Sequence, residues 1–322
     1  MTAKIAGIGI YVPETIVTND DLAKVVDTSD EWISSRTGIR ERRISTSEGT
    51  RELAAKAARQ ALENSDTAPE ELDIIILGTS TPDRNFPSDA CYVQAAIGAK
   101  NAVAFDISAA CAGFIFAMNI VEGFFRAGIY KTALIIGSET ISKVVNWNDR
   151  STCVLFGDGS GAAVLKAGEV GIIDMLMGAD GTRGDILKCQ SRTLGNFLTG
   201  TEPELGFMTM DGQEVFRFAV KRVPESIEIL MERNSLSRED VRYYVLHQAN
   251  ERIVEAVARR LKEPMEKFPM TIGRYGNTST ASIPLLLDDM IKKGMLNAGD
   301  KIIMSGFGAG MTWGAVLLEW QM

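Results

Sequence analysis

The chain has 322 residues, 45% hydrophobic and 24% charged. This is ordinary globular composition, but it exceeds the roughly 250–300 residues at which one core stops growing, so two domains or a fused double unit are expected. A formal net charge of −8 excludes general attraction to nucleic acid or an anionic membrane, while a single histidine, His247, excludes a multi-histidine metal site and any mechanism needing two histidines.

Met1–Ile8 lacks a basic region followed by an apolar stretch, so no secretion signal is expected. Four cysteines (Cys91, Cys111, Cys153, Cys189) form no CxxC pair, which suits a reducing, cytoplasmic setting. Lys4–Tyr11 alternates in polarity and stops before Pro13, predicting a strand. Asn19–Leu22 and Thr28–Glu31 read as polar helix starts, the second a cap with acids in its first turn. Arg51–Asn64 carries apolar residues at helical spacing, Thr67–Glu70 has the capping-box form, and Leu72–Leu77 is a continuous apolar strand of the buried type.

Val103–Phe105 predicts a short strand, and Ala112–Phe125 a helix buried on nearly all sides. Ala104–Phe125 is long enough to raise a membrane span. Asp106, Asn119 and Glu122 within it, and the lack of a second such segment, favour a buried soluble helix. Thr132–Gly137 and Gly161–Leu165 predict two further strands. Trp147–Phe156 is a polar loop leading into Gly157–Gly161, which has neither the strand–GxGxxG–helix order of a dinucleotide site nor the Lys-Ser/Thr of a P-loop. Ala179–Glu214, long, rich in Gly and Thr and weakly periodic, reads as a functional lid or wall.

The second half repeats the first. Leu62–Gly78 lies ungapped over Met231–His247, each a helix end, an acidic cap and a buried strand. Gly161–Leu165 resembles Gly314–Leu318, and the spacing from Cys111 to Gly128 equals that from Asn277 to Gly294. This places Cys111 and Asn277 at equivalent helix starts in two copies of one unit. The halves are expected at 1–170 and 171–322, with strands alternating with helices and sheets largely parallel.

Three reactive residue types then fall at matching ends. Cys111 sits among small residues at a strand-to-helix junction, where unpaired N–H groups and the positive end of the dipole favour thiolate; a small inert core cysteine is the plainer reading. His247 ends a buried strand and precedes Gln-Ala-Asn at a helix start, against the plainer reading of a structural histidine. Asn277 is either reactive or a helix cap. Sites in doubly wound sheets gather at carboxyl ends of strands, which is where all three fall.

Asp106–Phe114 (DISAACAGF), His247–Asn250 (HQAN), Gly276–Ser279 (GNTS), Gly306–Gly314 (GFGAGMTWG) and Asp27–Arg43 together resemble β-ketoacyl-acyl carrier protein synthase III, essentially end to end. The resemblance implies the thiolase fold: two α/β halves in a five-layer αβαβα sandwich with mixed, largely parallel sheets, usually a homodimer. Ketoacyl synthases I and II, which use Cys-His-His, are excluded by the lone histidine. Degradative thiolases need a second cysteine in the C-terminal glycine loop, and Ser305–Trp313 has none. Chalcone-synthase-like enzymes share Cys-His-Asn but are longer, and a papain-like hydrolase would carry its cysteine near the mature N-terminus. A synthase of secondary metabolism with another acceptor, and a pseudoenzyme that only binds acyl-CoA, remain as rivals.

The same resemblance implies a decarboxylative Claisen condensation of a short acyl-CoA with malonyl-acyl carrier protein, without cofactor or metal. Cys111 is the implied nucleophile, His247 and Asn277 the donors to the enolate, and the backbone N–H groups of Cys111 and Ala309 the oxyanion hole. The family usually has glycine at the latter position, and alanine would resist a positive φ there. For CoA the implied residues are Thr28, Trp32, Arg36, Arg150, Gly212, Phe216 and Asn250, with an indole and a guanidinium sandwiching adenine. Ile141, Phe156, Leu187 and Met208 are expected to wall the primer pocket, with Phe86 entering from a dimer partner. Arg217, Arg252, Arg259 and Arg260 are the expected local basic patch for the acidic carrier protein. Arg252 and Arg259, seven apart on a predicted helix, share a side.

Overall fold

The computed structural model describes residues 1–322. In the first half the chain runs β1 (Thr2–Tyr11), β2 (Ile16–Thr18), α1 (Asn19–Leu22), α2 (Asp30–Thr37), β3 (Glu41–Arg43), α3 (Thr50–Asn64), β4 (Ile74–Gly78), α4 (Asp89–Ile97), β5 (Val103–Ile107), α5 (Gly113–Arg126), β6 (Thr132–Glu139), α6 (Arg150–Cys153) and β7 (Gly159–Gly168). The second half continues with β8 (Ile172–Ala179), β9 (Leu187–Cys189), β10 (Met208–Met210), α7 (Gly212–Arg233), β11 (Val241–Leu246), α8 (Glu251–Leu261), α9 (Ile272–Tyr275), α10 (Ser282–Lys292), β12 (Lys301–Gly308) and β13 (Thr312–Glu319).

The repeat is visible in the strand order. One sheet runs β1-β7-β6-β4-β5 and the other β8-β13-β12-β11, the same order without its fifth member. Pairing is parallel for β6–β4–β5 and β11–β12 and antiparallel for β1–β7–β6 and β8–β13–β12, so both sheets are mixed.

Strand alternation builds the layers. Because successive side chains of a strand face opposite ways, Ile74 and Ile76 enter a central core while Ile75 and Leu77 pack outward under α3 and α4. In the second sheet Ile302, Met304 and Val316 face the same central core, and Ile303, Ala315 and Leu317 face α7 and α8. The central core is filled by α5 and α10, from Phe114, Ile115, Met118 and Val121 on one and Ile283, Leu286, Leu287 and Met290 on the other. The result is the five-layer sandwich expected from the motifs. No helix is long and apolar enough to cross a membrane. Glu122 of the apolar α5 accepts hydrogen bonds from Thr2 Oγ1 (2.8 Å) and Ala3 N–H (2.6 Å) and pairs with Arg126 (2.6 Å).

The structure moves the register of the repeat. α5 and α10 end alike, at Gly128 (φ 71°) and Gly294 (φ 63°), but α5 has 14 residues and α10 only 11. Each is preceded by a 3-10 turn, Ala110–Ala112 and Ser279–Ala281, whose first residue has a positive φ (Ala110 46°, Ser279 51°). Cys111 is therefore matched in local structure by Thr280. Asn277 stands three residues earlier, and counting back from the glycines missed this because the second helix is one turn shorter.

Candidate active site

Cys111, His247 and Asn277 line a single cavity of about 590 Å³. Their exposures are 8%, 2% and 7%. Each arrives from a different element, and the interior holds each in a different way.

The Cys111 turn is pinned between the halves. Thr280 Oγ1 lies 3.1 Å from the Ala110 carbonyl, and its methyl packs on Gly78, Gly113 and Gly137, where a Cβ would approach it to 3.0 Å. A Cβ on Gly308 would come within 2.5 Å of the Cys111 nitrogen, so only glycine lets β12 close on this turn. The N–H groups of Cys111 and Ala309 are not taken up by other backbone carbonyls. Ala309 does not adopt a positive φ; that conformation falls on Gly310 (133°). The expected conflict at an alanine is absent.

The thiolate expectation is corrected. α5 starts only at Gly113, two residues beyond the sulfur. Burial, reinforced by the Glu139 charge and opposed by the Ser279 hydroxyl, pushes the Cys111 thiol up to about 12. Cys111 rests as a neutral thiol.

His247 directly follows β11, its N–H donating to the Ser305 carbonyl (2.8 Å). The ring packs edge-on to Phe307, centroids 5.4 Å apart. Nδ1 lies 2.6 Å from Ser282 Oγ, and Nε2 has no protein partner. Burial lowers its pKa to about 3, so the imidazole is neutral across ordinary pH. Asn277 is held by its backbone, donating to the Leu155 carbonyl (2.9 Å) and accepting from Gly157 N–H (3.0 Å). Its Oδ1 accepts from Ser279 N–H (2.8 Å). The side-chain amide is therefore oriented with Nδ2 as its free donor.

Sequence reasoning missed Glu139, which is wholly buried behind the cysteine. Its carboxylate faces Thr79 Oγ1 (3.2 Å), Ser80 N–H (3.1 Å), Thr81 Oγ1 (2.5 Å), Ser279 Oγ (3.0 Å) and Thr280 Oγ1 (2.8 Å). Burial raises its pKa. An acid directly ending a buried strand was a signal of the kind that singled out His247. Glu139→Ala is expected to lower stability by about 3 kcal/mol or more in urea unfolding, because several buried donors lose their only acceptor.

Ile141, Phe156, Leu187 and Met208 line the same cavity, as do Gly212, Phe216 and Asn250. Phe86 does not line it and is 85% exposed. Trp32 and Arg36 stack as their spacing predicts, and Arg150 also lies on the indole, each guanidinium carbon 4.8 Å from the ring centroid. A planar base between Arg150 and Trp32 needs roughly 7 Å, two van der Waals separations, so Arg150 must swing out before anything is sandwiched. The Thr28 hydroxyl is buried without a partner. It sits just before Ser29, which caps α2. Asn250 caps α8 through Oδ1 (2.9 Å to Arg252 N–H) and donates through Nδ2 to the Arg36 carbonyl (3.2 Å), so both polar ends are engaged.

The four arginines differ. Arg217 pairs with Glu214 and Arg260 with Glu225 (3.7 Å), while Arg252 donates to the Ser35 carbonyl (2.8 Å). Arg259, exposed on α8, has no protein partner.

Residues 105–181 match the family model described as 3-Oxoacyl-[acyl-carrier-protein (ACP)] synthase III, and residues 231–320 match its C-terminal counterpart. A β-ketoacyl-[acyl-carrier-protein] synthase III of Clostridium acetobutylicum is 52% identical over 324 residues, covering 99% of each chain. The crystal structure of 3-oxoacyl-[acyl-carrier-protein] synthase III from Aquifex aeolicus VF5 superposes with a TM-score of 0.92 at 46% identity, covering 99% of this chain and 100% of that one. Its counterpart from Pseudomonas aeruginosa PAO1 gives 0.93 at 39% identity, covering 100% and 99%.

Proposed function

The chain belongs to the β-ketoacyl-[acyl-carrier-protein] synthase III family, and we propose on that premise that it starts type II fatty acid synthesis. It condenses a short acyl-CoA, acetyl-CoA first, with malonyl-acyl carrier protein to give 3-oxoacyl-carrier protein, CoA and CO2. The observation that carries this reading is the convergence of Cys111, His247 and Asn277 in one cavity.

In the first half-reaction the Cys111 sulfur attacks the acyl-CoA thioester, and the thiol proton leaves with the CoA sulfur. The tetrahedral oxyanion is met by the free N–H groups of Cys111 and Ala309. In the second, His247 Nε2–H and Asn277 Nδ2–H donate to the malonyl thioester oxygen as CO2 departs. The resulting carbanion attacks the acyl-Cys carbonyl, and collapse of that intermediate expels the Cys111 sulfur as thiolate, which takes up a proton from solvent to restore the thiol. No cofactor is needed, because the thioesters supply the acyl group and decarboxylation supplies the carbanion.

The orphan Thr28 hydroxyl beside the Trp32–Arg36–Arg150 stack supports this rim as the nucleotide site, with Gly212, Phe216 and Asn250 along the pantetheine arm. Ile141, Phe156, Leu187 and Met208 enclose the primer. The edge strand β5, with Val103 49% exposed, and the projecting Phe86 support a homodimer, and the cytoplasm is the compartment of its CoA thioesters. The halves are 1–170 and 171–322.

Labelled acetyl-CoA with malonyl-carrier protein tests the reading. Acetoacetyl-carrier protein is expected; label released only as acetate would make this a hydrolase, and no turnover a binder. A primer series from acetyl to longer and branched chains then sets the pocket limit, each methylene being worth about 1–3 kcal/mol.

Arg259→Glu is expected to raise KM for malonyl-carrier protein about tenfold, since a free exposed cation steers an acidic partner. Acetyl-CoA transacylation should change less than twofold. Equal loss in both assays would argue against docking there.

A further inference from the structure

The one histidine faces two tasks that need opposite hydrogens. To donate to an enolate oxygen, Nε2 must carry a hydrogen; to take the Cys111 proton, it must not. The groups around Nδ1 decide between them.

Ser282 is the first residue of α10 and is buried. Its Oγ lies 2.6 Å from His247 Nδ1 and accepts from Gln248 N–H at 3.3 Å. A hydroxyl has one hydrogen to give. Serines in helices often return it to the carbonyl four residues back, here that of Thr278, but Ser282 Oγ bonds only with His247 Nδ1 and Gln248 N–H. No other acceptor reaches Ser282. If Nδ1 carried the ring hydrogen, Ser282 Oγ would receive two N–H groups while its own buried hydrogen had no partner, an arrangement that buried polar groups rarely adopt. With Nδ1 bare, Gln248 N–H donates to Ser282, Ser282 donates to His247, and every hydrogen is placed.

We propose that Ser282 is a positioning residue whose hydroxyl, donating to Nδ1, holds His247 as the Nε2–H tautomer that the decarboxylation requires. The inference deepens the proposed function and rests on it for the identity of the step. The tautomer itself does not depend on any reaction.

Because the chain has a single histidine, the test is spectroscopic and unambiguous in assignment. The full-length protein, 15N-labelled at histidine, is measured by long-range 1H–15N correlation at pH 7. Nε2 is expected at a pyrrole-type shift and Nδ1 at a pyridine-type shift; the reverse pattern, or an imidazolium, overturns the proposal. Ser282→Ala is expected to mix the two tautomers and to slow malonyl-carrier protein decarboxylation about 10–100-fold, the size of loss seen when a metal-ligating histidine is deprived of the partner that fixes its tautomer. Acetyl-CoA transacylation should fall less than threefold. A variant that keeps the pure Nε2–H pattern and the wild-type decarboxylation rate overturns the role of Ser282, and if it does not fold the wild-type spectrum alone decides. A wild-type protein showing the Nε2–H pattern but forming no 3-oxoacyl product sinks the proposed function and leaves the tautomer assignment standing.

Discussion

Cys111→Ala is expected to form no acyl-enzyme and to lose condensation by at least about 10⁴-fold, since removing a nucleophile forfeits the covalent pathway entirely. Malonyl-thioester decarboxylation should persist within about tenfold. His247 is fixed by Ser282 and Asn277 by Ser279, Leu155 and Gly157, and none of those contacts involves the cysteine. Mass spectrometry after mixing with acetyl-CoA reads the first outcome, and CO2 release the second. The wild-type thiol adds a pH signature. Since burial pushes it up to about 12, thiolate is the minor form throughout the working range and grows tenfold with each pH unit. Alkylation by iodoacetamide should therefore climb steadily from pH 7 to 10. A plateau below pH 8.5 would restore the thiolate picture of the helix dipole.

Asn277→Asp should slow decarboxylation about 10²–10³-fold, the typical worth of one oriented donor to a developing oxyanion. One oxygen of the new carboxylate keeps the Ser279 N–H. The other replaces Nδ2 and turns a negative charge toward the enolate, in a cavity whose lining offers only Lys188 as a cation. Acylation of Cys111 should change little, because its oxyanion is met by Cys111 and Ala309 N–H. Normal CO2 release by this variant would remove Asn277 from the decarboxylation step. Stopped assays of each half-reaction separate the two effects.

Much of this was legible in the chain before folding. Periodicity alone placed the buried strands at Leu72–Leu77 and Thr132–Gly137 and the central helix after Cys111, because burial on both faces leaves no polar residue to interrupt an apolar run. The strand-end position of His247 and the Trp32–Arg36 spacing are equally local facts, and they survive in the structure. The motifs reached further, bringing Cys111, His247 and Asn277 into one site across 166 residues of separation between first and last.

What the sequence determined by itself was therefore the layers, the family and the reacting side chains, all set by local pattern or by short motifs. The tertiary structure alone decided their electrostatic state. Whether Cys111 is thiolate depends on how deeply the second half buries it and on Glu139 lying behind it. Whether Nε2 of His247 carries a hydrogen depends on Ser282, 35 positions away, and whether Asn277 presents its amide nitrogen depends on a backbone N–H in the following turn. The one-turn difference between α5 and α10 also escaped, since a repeat read from its glycines fixes where helices end but not where they begin. Charge and hydrogen placement follow from desolvation and donor count, and both are properties of the packed interior rather than of any stretch of chain.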